Sequence, residues 1–136
     1  MVALILKDYR MEKKVALITG STSGIGMGIA KKFASEGYNI VFNGLEKNGP
    51  DIAKEIGKKN KVKTIFSDAN MLKEEEIKEM VKQAEKEFGK IDVLVNNAGI
   101  QFVSPLEDFP SEKWNAIIGT NLSASFHTGK AVWKGM

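Results

Sequence analysis

The hydrophobic positions of this chain fall into short apolar runs that alternate with longer amphipathic stretches. Four runs have the length and composition of buried strands, at residues 15–19, 39–43, 62–66 and 91–95. The stretches between them predict helices over residues 24–36, 48–56 and 73–88. After the fourth strand, Ser111 is predicted to cap a long helical region that reaches toward Trp133.

This regular alternation of strand and helix, without a linker, predicts one α/β domain. Its parallel sheet would have right-handed crossovers and helices on both faces. If the chain reverses direction after the third strand, the strand order is 3-2-1-4 and a crevice forms beside the first strand. We therefore expect a doubly wound, Rossmann-like sheet, truncated after about four strands. Residues 15–136 would form this domain, and residues 1–14 would be an N-terminal extension or leader.

Composition narrows the classes of function. The 136 residues carry 20 basic and 17 acidic side chains, intermixed along the sequence, so no basic face for nucleic acid is expected. The absence of cysteine fits a reducing cytoplasm, and a single histidine makes a metal site unexpected. The apolar run at residues 1–6 is too short for a signal peptide or a membrane span, so no membrane partner is expected.

A glycine-rich turn follows the first strand and opens the first helix. In such a turn the glycines allow a tight bend, close approach to a phosphate and close packing of helix on sheet, while backbone N–H groups bind the negative charge. The hydroxyl groups are candidate donors to phosphate or ribose, with simple solvation of the loop as the alternative. Gly28, on the helix, is expected to be a packing residue. The predicted phosphate-binding residues are Gly20, Ser21, Thr22, Ser23, Gly24, Ile25 and Gly26.

A second motif, Asn96-Asn97-Ala98-Gly99, follows the fourth strand, and Asn121 lies in the helix beyond it. Together with Thr19-Gly20-x-x-x-Gly24-x-Gly26, this pattern resembles the short-chain dehydrogenase/reductase family, whose members transfer hydride to or from NAD(P). The resemblance implies that Asn97, Ala98 and Gly99 contact the cofactor. It also implies that Asn121 is the helix-embedded asparagine of the catalytic site; the alternative is an ordinary polar helix residue.

Within that family, residues 96–101, 106–114 and 121–127 resemble bacterial D-3-hydroxybutyrate dehydrogenases. The resemblance implies hydride transfer between NAD and a small hydroxy acid. It places Gln101 at the substrate carboxylate, with an exposed loop glutamine as the alternative, and Leu45 against the adenosine. No arginine follows the second strand to pair with a 2′-phosphate, which favours NAD over NADP, and the acidic ribose ligand usual at this strand end is missing.

The residue on the adenine side, after the third strand, has two candidates. The family places an aspartate there, and this chain offers Asp68 and Asn70. Counting back without gaps from Asn96 favours Asn70, with Met71 as a neighbouring contact. Asp68 is the second choice.

The family's chemistry needs a tyrosine as general acid and base, a lysine four residues later and a serine. These normally follow a fifth strand, whereas this chain ends at Met136, so the resemblance covers about the N-terminal half of a family member. Tyr9 has a lysine four residues later but precedes the first strand, and Tyr38 is followed by Phe42 at that spacing. We therefore expect the isolated chain to be inactive; the alternative is a non-catalytic nucleotide-binding or self-associating remnant.

The aromatic residues of the last helical region are predicted to be structural. His127, Trp114 and Trp133 are expected to pack against the sheet or against a neighbouring subunit. The resemblance implies that this helix contributes to an oligomer contact, and an open edge on the fourth strand favours association too. A homo-oligomer is the expected state.

Overall fold

A computed structural model describes residues 12–136. Its main elements, in chain order, are β1 (Val15–Ile18), α1 (Gly24–Ser35), β2 (Asn39–Asn43), α2 (Gly49–Asn60), β3 (Thr64–Ser67), α3 (Glu74–Phe88), β4 (Val93–Val95), α4 (Ser111–Ile118) and α5 (Ala124–Val132). A 3-10 turn, Leu106–Asp108, precedes α4, and a π-helical segment, Gly119–Ser123, joins α4 to α5. The expected extension at residues 1–14, with Tyr9, lies outside the described residues except for positions 12–14.

The four strands form one parallel sheet in the order β3-β2-β1-β4, which confirms the predicted order. Leu17 on β1 pairs with Val41 on β2 and with Leu94 on β4. The chain therefore leaves β3 at one side of the sheet and returns beside β1 at the other. This reversal opens a crevice at the carboxyl ends of β1 and β4.

Strand β1 is buried on both faces, which explains its unbroken apolar sequence. Val15 and Leu17 join a core cluster with α3 and α5. Ala16 and Ile18, whose side chains point to the opposite face, join a second cluster with α1 and α2. The sheet thus lies between two helical layers, as predicted.

Helix α2 runs four residues beyond its predicted end because Gly57 does not terminate it. Gly57 faces β3, where an added Cβ would lie 2.9 Å from the Thr64 side chain, so it is a close-packing residue. The helix ends instead at Asn60, because the next residue, Lys61, has the left-handed φ of 54°. The Val62 N–H then donates to the Gly57 carbonyl over 3.1 Å, and β3 begins only at Thr64.

The last helical region begins as predicted but is capped differently. Ser111 is the first helical residue rather than the cap, and its predicted capping role is wrong. The carbonyl of Pro110 accepts the N–H groups of Lys113 and Trp114 at 3.0 and 3.1 Å, which closes the first turn. Backbone geometry, and not a serine hydroxyl, starts this helix.

The aromatic residues of this region do not share one environment. Trp114 and Trp133 are 58% and 80% exposed, so neither packs against the sheet, and that part of the prediction is wrong. His127 is half-buried between α5 and α3, with its Nδ1 3.6 Å from Oε2 of Glu74. The two tryptophans therefore belong to the surface.

Asp92 ties the starts of β4 and β1 together. Its Oδ2 accepts the Val15 N–H over 2.8 Å, and its own N–H donates to the Val15 carbonyl over 2.9 Å. Lys90 Nζ lies 3.0 Å from Oδ1. Burial alone would raise the pKa of Asp92, but the Val15 and Lys90 contacts outweigh it and hold this pKa below its usual value.

Asp92→Asn should lower the free energy of unfolding at neutral pH by about 1 kcal/mol, because a charged hydrogen-bond acceptor becomes neutral. Because the pKa of Asp92 is lower in the folded chain than in the unfolded chain, where it is about 3.9, the ionised carboxylate stabilises the fold above that pH. This stabilisation is lost as the pH falls through the lower pKa of the folded chain. The difference between variant and wild type should therefore shrink from pH 6 toward pH 3, measured by urea unfolding with circular dichroism. The exposed Asp68→Asn is the matched control; equal pH dependence in both variants would contradict this role.

Candidate functional site

The turn between β1 and α1 presents backbone donors to the crevice. Gly20 and Gly24 have φ of 60° and 52°, a region that glycine enters without strain. The first N–H groups of α1 have no carbonyl partner within the helix, and Ser23 at the N-cap makes no capping bond with its side chain. These donors and the positive end of the helix dipole face one place, which suits an anion such as a diphosphate.

Asn97 docks the loop after β4 onto the end of β1. Its Nδ2 donates to the carbonyls of Thr19 and Gly20, both over 3.0 Å. The Thr19 hydroxyl in turn accepts the backbone N–H groups of Asn97 and Ala98, also at 3.0 Å. Thr19 was part of the sequence motif but not of the predicted site, and its buried hydroxyl is what joins the two loops.

The third glycine of the turn is required by this docking. A Cβ at Gly26 would lie 2.1 Å from the Gly20 oxygen and 2.4 Å from Asn97 Nδ2. Both distances are far below a normal contact. Gly26 therefore lets α1 approach the loops that hold the turn.

Asn43, at the end of β2, supports the same turn from the other side. Its Oδ1 accepts the Gly20 N–H over 3.1 Å, while its Nδ2 donates to the carbonyls of Ser67 and Ala69 at 3.2 and 3.0 Å. The side chain is 2% exposed and all of these polar groups are partnered. One amide thus connects the ends of three neighbouring strands.

These contacts enclose a cleft of about 570 Å³, within the range of cofactor sites. It lies at the carboxyl ends of the strands, between the turn, the loop after β2, the loop after β3 and the loop after β4. Its lining is mostly apolar or backbone. The lining residues are Gly20, Ser23, Gly24, Ile25, Gly26, Asn43, Gly44, Leu45, Glu46, Ala69, Asn70, Met71, Leu72, Asn97, Ala98, Gly99, Ile100 and Thr120.

Most of the predicted cofactor residues lie around this cleft, but two hydroxyls do not. Ser21 is fully buried, and its oxygen accepts the Asn43 N–H over 3.0 Å. Thr22 is 3% exposed and donates its hydroxyl to the Glu46 carboxylate. The structure therefore gives the hydroxyls of Ser21 and Thr22 internal partners, whereas Ser23 lies at the cleft.

The two residues implied for the catalytic and substrate sites lie outside the cleft lining. Gln101 is exposed, one position beyond the lining residue Ile100. Asn121, in the π-helical segment, accepts the Ile100 N–H over 2.9 Å and donates to the Ile100 carbonyl over 3.0 Å. Its amide is used to hold this loop, which makes Asn121 a positioning residue in this structure.

The structure separates the two candidates after β3. Asp68 is exposed in a groove between β3 and α3, away from the cleft. Asn70 and Met71 both line the cleft. The Asn70 Oδ1 accepts the Leu72 N–H over 2.9 Å, so the side chain is held in place at the rim.

Sequence reasoning missed Glu46, an acidic residue in the cleft. No acidic ligand was expected at the end of β2, because the strand ends at Asn43 and Gly44 follows it. The loop folds back, however, so that the Glu46 carboxylate accepts the hydroxyls of Thr22 and Ser23. Its spacing of 20 residues after Gly26 was the available signal.

Other reactive groups lie elsewhere in the described part of the chain. Tyr38 precedes β2, at the end of the sheet opposite the cleft, with its ring 5.0 Å from that of Phe33. Within residues 12–136, no group of three or more His, Cys, Asp or Glu side chains is placed to hold a metal ion. No helix in that same range has the length and apolar character needed to cross a membrane.

Comparison with known sequences gives one family and several relatives. The family model described as short chain dehydrogenase matches residues 14–136. The chain is 49% identical over 125 residues to a D-beta-hydroxybutyrate dehydrogenase of Cupriavidus necator, covering 90% of this chain and 48% of the relative. It is 47% identical over 119 residues to the enzyme of the same name from Rhizobium meliloti, covering 85% and 45%. The chain thus spans about half the length of these relatives.

Solved structures share the fold. An alcohol dehydrogenase of Thermococcus sibiricus, complexed with 5-hydroxy-NADP, superposes with a TM-score of 0.87 at 32% identity, covering 91% of this chain and 53% of that one. The L-sorbose reductase of Gluconobacter frateurii, complexed with NADPH and L-sorbose, gives 0.87 at 31% identity, covering 92% and 48%.

Gly26→Ala should destabilise the chain by about 1–3 kcal/mol, because the added methyl group has no room between Gly20 and Asn97. Gly28→Ala, on the same helix, is the matched control. Nothing lies within 4 Å of a Cβ added at Gly28, so the prediction that Gly28 is a packing residue is wrong. The control should gain about 0.5–1 kcal/mol. Urea unfolding measures both changes, and equal effects would refute the requirement for glycine at position 26.

Proposed function

This chain belongs to the short-chain dehydrogenase family, and on that premise we propose that it forms the dinucleotide-binding part of an NAD-dependent dehydrogenase related to 3-hydroxybutyrate dehydrogenases. The observation that carries the proposal is the cleft between the glycine turn and the Asn97 loop, where unpartnered N–H groups face an apolar space. When bound there, the nicotinamide dinucleotide supplies hydride transfer to or from the substrate.

Each wall of the cleft suits a different part of a dinucleotide. The N-terminus of α1 is the proposed diphosphate site, because its N–H groups and dipole favour negative charge. Leu45 is 68% exposed at the cleft, and this unpaired apolar surface suits an adenosine. Asn70 and Met71 are proposed for the adenine side, and Ala98 with Gly99 for the nicotinamide side.

The substrate class is proposed from sequence similarity. Two relatives with 49% and 47% identity are named D-beta-hydroxybutyrate dehydrogenases. Gln101 stands exposed beside Ile100 at the end of the cleft, where its amide is accessible to a carboxylate. A small 3-hydroxy acid, oxidised with NAD, is therefore the proposed substrate of the whole enzyme.

The isolated 136-residue chain is proposed to bind without turnover. Proton transfer in this chemistry needs an acid or base beside the reacting oxygen. The chain has two tyrosines, of which Tyr38 lies at the wrong end of the sheet and Tyr9 precedes the described residues. The one asparagine assigned to catalysis by resemblance, Asn121, is engaged with the Ile100 backbone.

Titration of the chain with NAD by calorimetry should give saturable binding, and D-3-hydroxybutyrate should give no increase in NADH absorbance even at high protein concentration. Gly28→Ala should bind as the wild type does, whereas Gly26→Ala should bind at least tenfold more weakly, because its turn is displaced. Absence of NAD binding would refute the cofactor assignment. Turnover by the pure chain would refute its proposed inactivity.

A helix surface supports self-association as a second property. Trp114, Ile118, Leu122 and Phe126 recur every four residues along α4, the π-helical segment and α5, and all are exposed. Leu122 and Phe126 are 66% and 64% exposed. Large exposed apolar patches on single chains usually mark interaction sites, so we propose that a second copy of the chain covers this helix face.

Sedimentation velocity over a concentration series should show reversible association of the wild-type chain. Phe126→Glu should weaken the association at least tenfold, because it buries a charge in the contact. Leu106→Glu, an equally drastic change on the exposed 3-10 turn, should leave it unchanged. A wild-type chain that stays monomeric throughout, or equal effects of both variants, would argue against this interface.

A further inference from the structure

We propose that the apolar run at residues 2–6 pairs with the free edge of β3 as an antiparallel strand, with Val2, Leu4 and Leu6 facing the groove between β3 and α2. The run has the length and composition of a strand. It precedes the region matched by the family model, which begins at residue 14. The edge of β3 lies outside the cleft lining, so this inference does not depend on the proposed cofactor site.

Strand β3 forms one edge of the sheet, and within residues 12–136 its outer side has no partner strand. The Ile40 N–H donates to the Lys63 carbonyl over 3.0 Å. Ile40 on β2 stands opposite Thr64 on β3, and a parallel ladder uses the peptide groups of alternate residues. The peptide groups of Thr64 and Phe66 therefore point outward, where a further strand is able to bond to them.

Two grooves flank this edge and would receive the side chains of an added strand. The α2-side groove has a volume of about 490 Å³, with apolar walls from Pro50, Ala53, Val62 and Phe66 and the side chains of Lys54 and Lys58 at its border. The α3-side groove has a volume of about 330 Å³, with polar walls that include Ser67, Asp68, Glu76, Glu79 and Gln83. Because successive side chains of a strand point to opposite faces, alternate residues would enter different grooves.

The sequence of the run matches this difference between the grooves. Val2, Leu4 and Leu6 are all bulky aliphatic residues, whereas the alternate set combines Ile5 with the small Ala3. Burial of apolar surface favours the bulkier set over the apolar α2-side groove. Pairing by backbone hydrogen bonds, with alternate side chains in pockets, is the usual way in which a sheet edge takes up an extended segment.

The start of the described chain leads to the β3 edge of the sheet. The Lys13 Nζ donates to the Lys61 carbonyl over 2.7 Å, three positions before β3 begins. Glu12 and Lys13 also line a cavity with Lys61, Val62 and Lys63, the residues that lead into β3. Among the described residues, β4 contributes nothing to that cavity. The preceding residues therefore enter on the β3 side.

The connecting residues are long enough for this pairing. Three strand spacings, about 14 Å in total, separate β1 from a strand placed beside β3. Residues 7–11 span about 17 Å when extended, so residues 2–6 are able to reach the edge. Since residue 12 lies at the amino end of the strands, the run would lie antiparallel to β3. Doubly wound sheets often carry an antiparallel strand at an edge.

The test follows amide hydrogen exchange by NMR at Thr64 and Phe66, whose N–H groups have no backbone partner among the described residues. In the full chain both amides should exchange at least about tenfold more slowly than in a chain that lacks residues 1–7. The buried Leu17 amide, in the middle of the sheet, should stay protected in both chains and reports that the fold is intact.

Two lysine variants test which side chains face the α2-side groove. Leu4→Lys should remove the protection, because its charge would enter an apolar groove already bordered by Lys54 and Lys58. Ile5→Lys is the matched control and should keep the protection, because its charge would face the carboxylates of the α3-side groove.

Three results would each overturn the pairing: fast exchange at both edge amides in the full chain, protection that survives removal of residues 1–7, or equal effects of the two lysine variants. The protection should also be independent of protein concentration over a hundredfold range. Protection that increases with concentration would mean that a second copy supplies the strand, and it would overturn pairing within one chain.

Discussion

The peptide groups around Gly20 are held from two sides, and the shape of the cleft depends on this. The Gly20 N–H is bonded to the side chain of Asn43, and its carbonyl is bonded to the side chain of Asn97. An added Cβ at Gly20 would lie 3.0 Å from the Cα of Ala98, so the loop after β4 rests directly on the turn. Satisfied buried amide networks are rigid, and this one aims the N-terminus of α1 into the cleft.

The loop after β4, which forms one wall of the cleft, is also held by side-chain hydrogen bonds. Asn121 is bonded to both polar groups of the Ile100 backbone, and the buried Thr128 hydroxyl lies 2.6 Å from Oδ1 of Asn96. In each case an uncharged side chain from one element fixes the loop after β4. The walls are therefore set by amides and hydroxyls, which leaves charge at the cleft to Glu46.

The fold was predictable because its signals are local. Each strand and helix has its own apolar pattern, and the strand order follows from their alternation. Errors about individual glycines arose because a glycine in a helix can mark its end, allow close packing or do neither. Helix α2 was expected to end at residue 56 but continues through Gly57, which packs against β3, and Gly28 was expected to be a packing residue but has open space around it.

The site was predictable only as far as backbone motifs define it. Ser21 and Thr22 belong to the predicted phosphate-binding motif, yet the fold turns their side chains inward. No periodicity distinguishes them from Ser23, because their direction depends on partners more than 20 positions away. Glu46 was not predicted to lie in the cleft because its position also depends on distant contacts. The residues at the end of β2 do not show that the following loop folds back toward Thr22.

The cleft and the stretch around Gln101 consequently differ in how firmly the fold holds them. The cleft is lined by four short segments at the ends of β1 to β4, together with Thr120, and the groups that fix the turn are partnered. Gln101, by contrast, begins an exposed stretch in which Val103 and Leu106 are each 89% exposed. Without packed neighbours, a glutamine has no fixed direction from which to discriminate between carboxylates. The described residues therefore fix the walls of the cleft firmly, whereas Gln101 lies in an exposed stretch beside it.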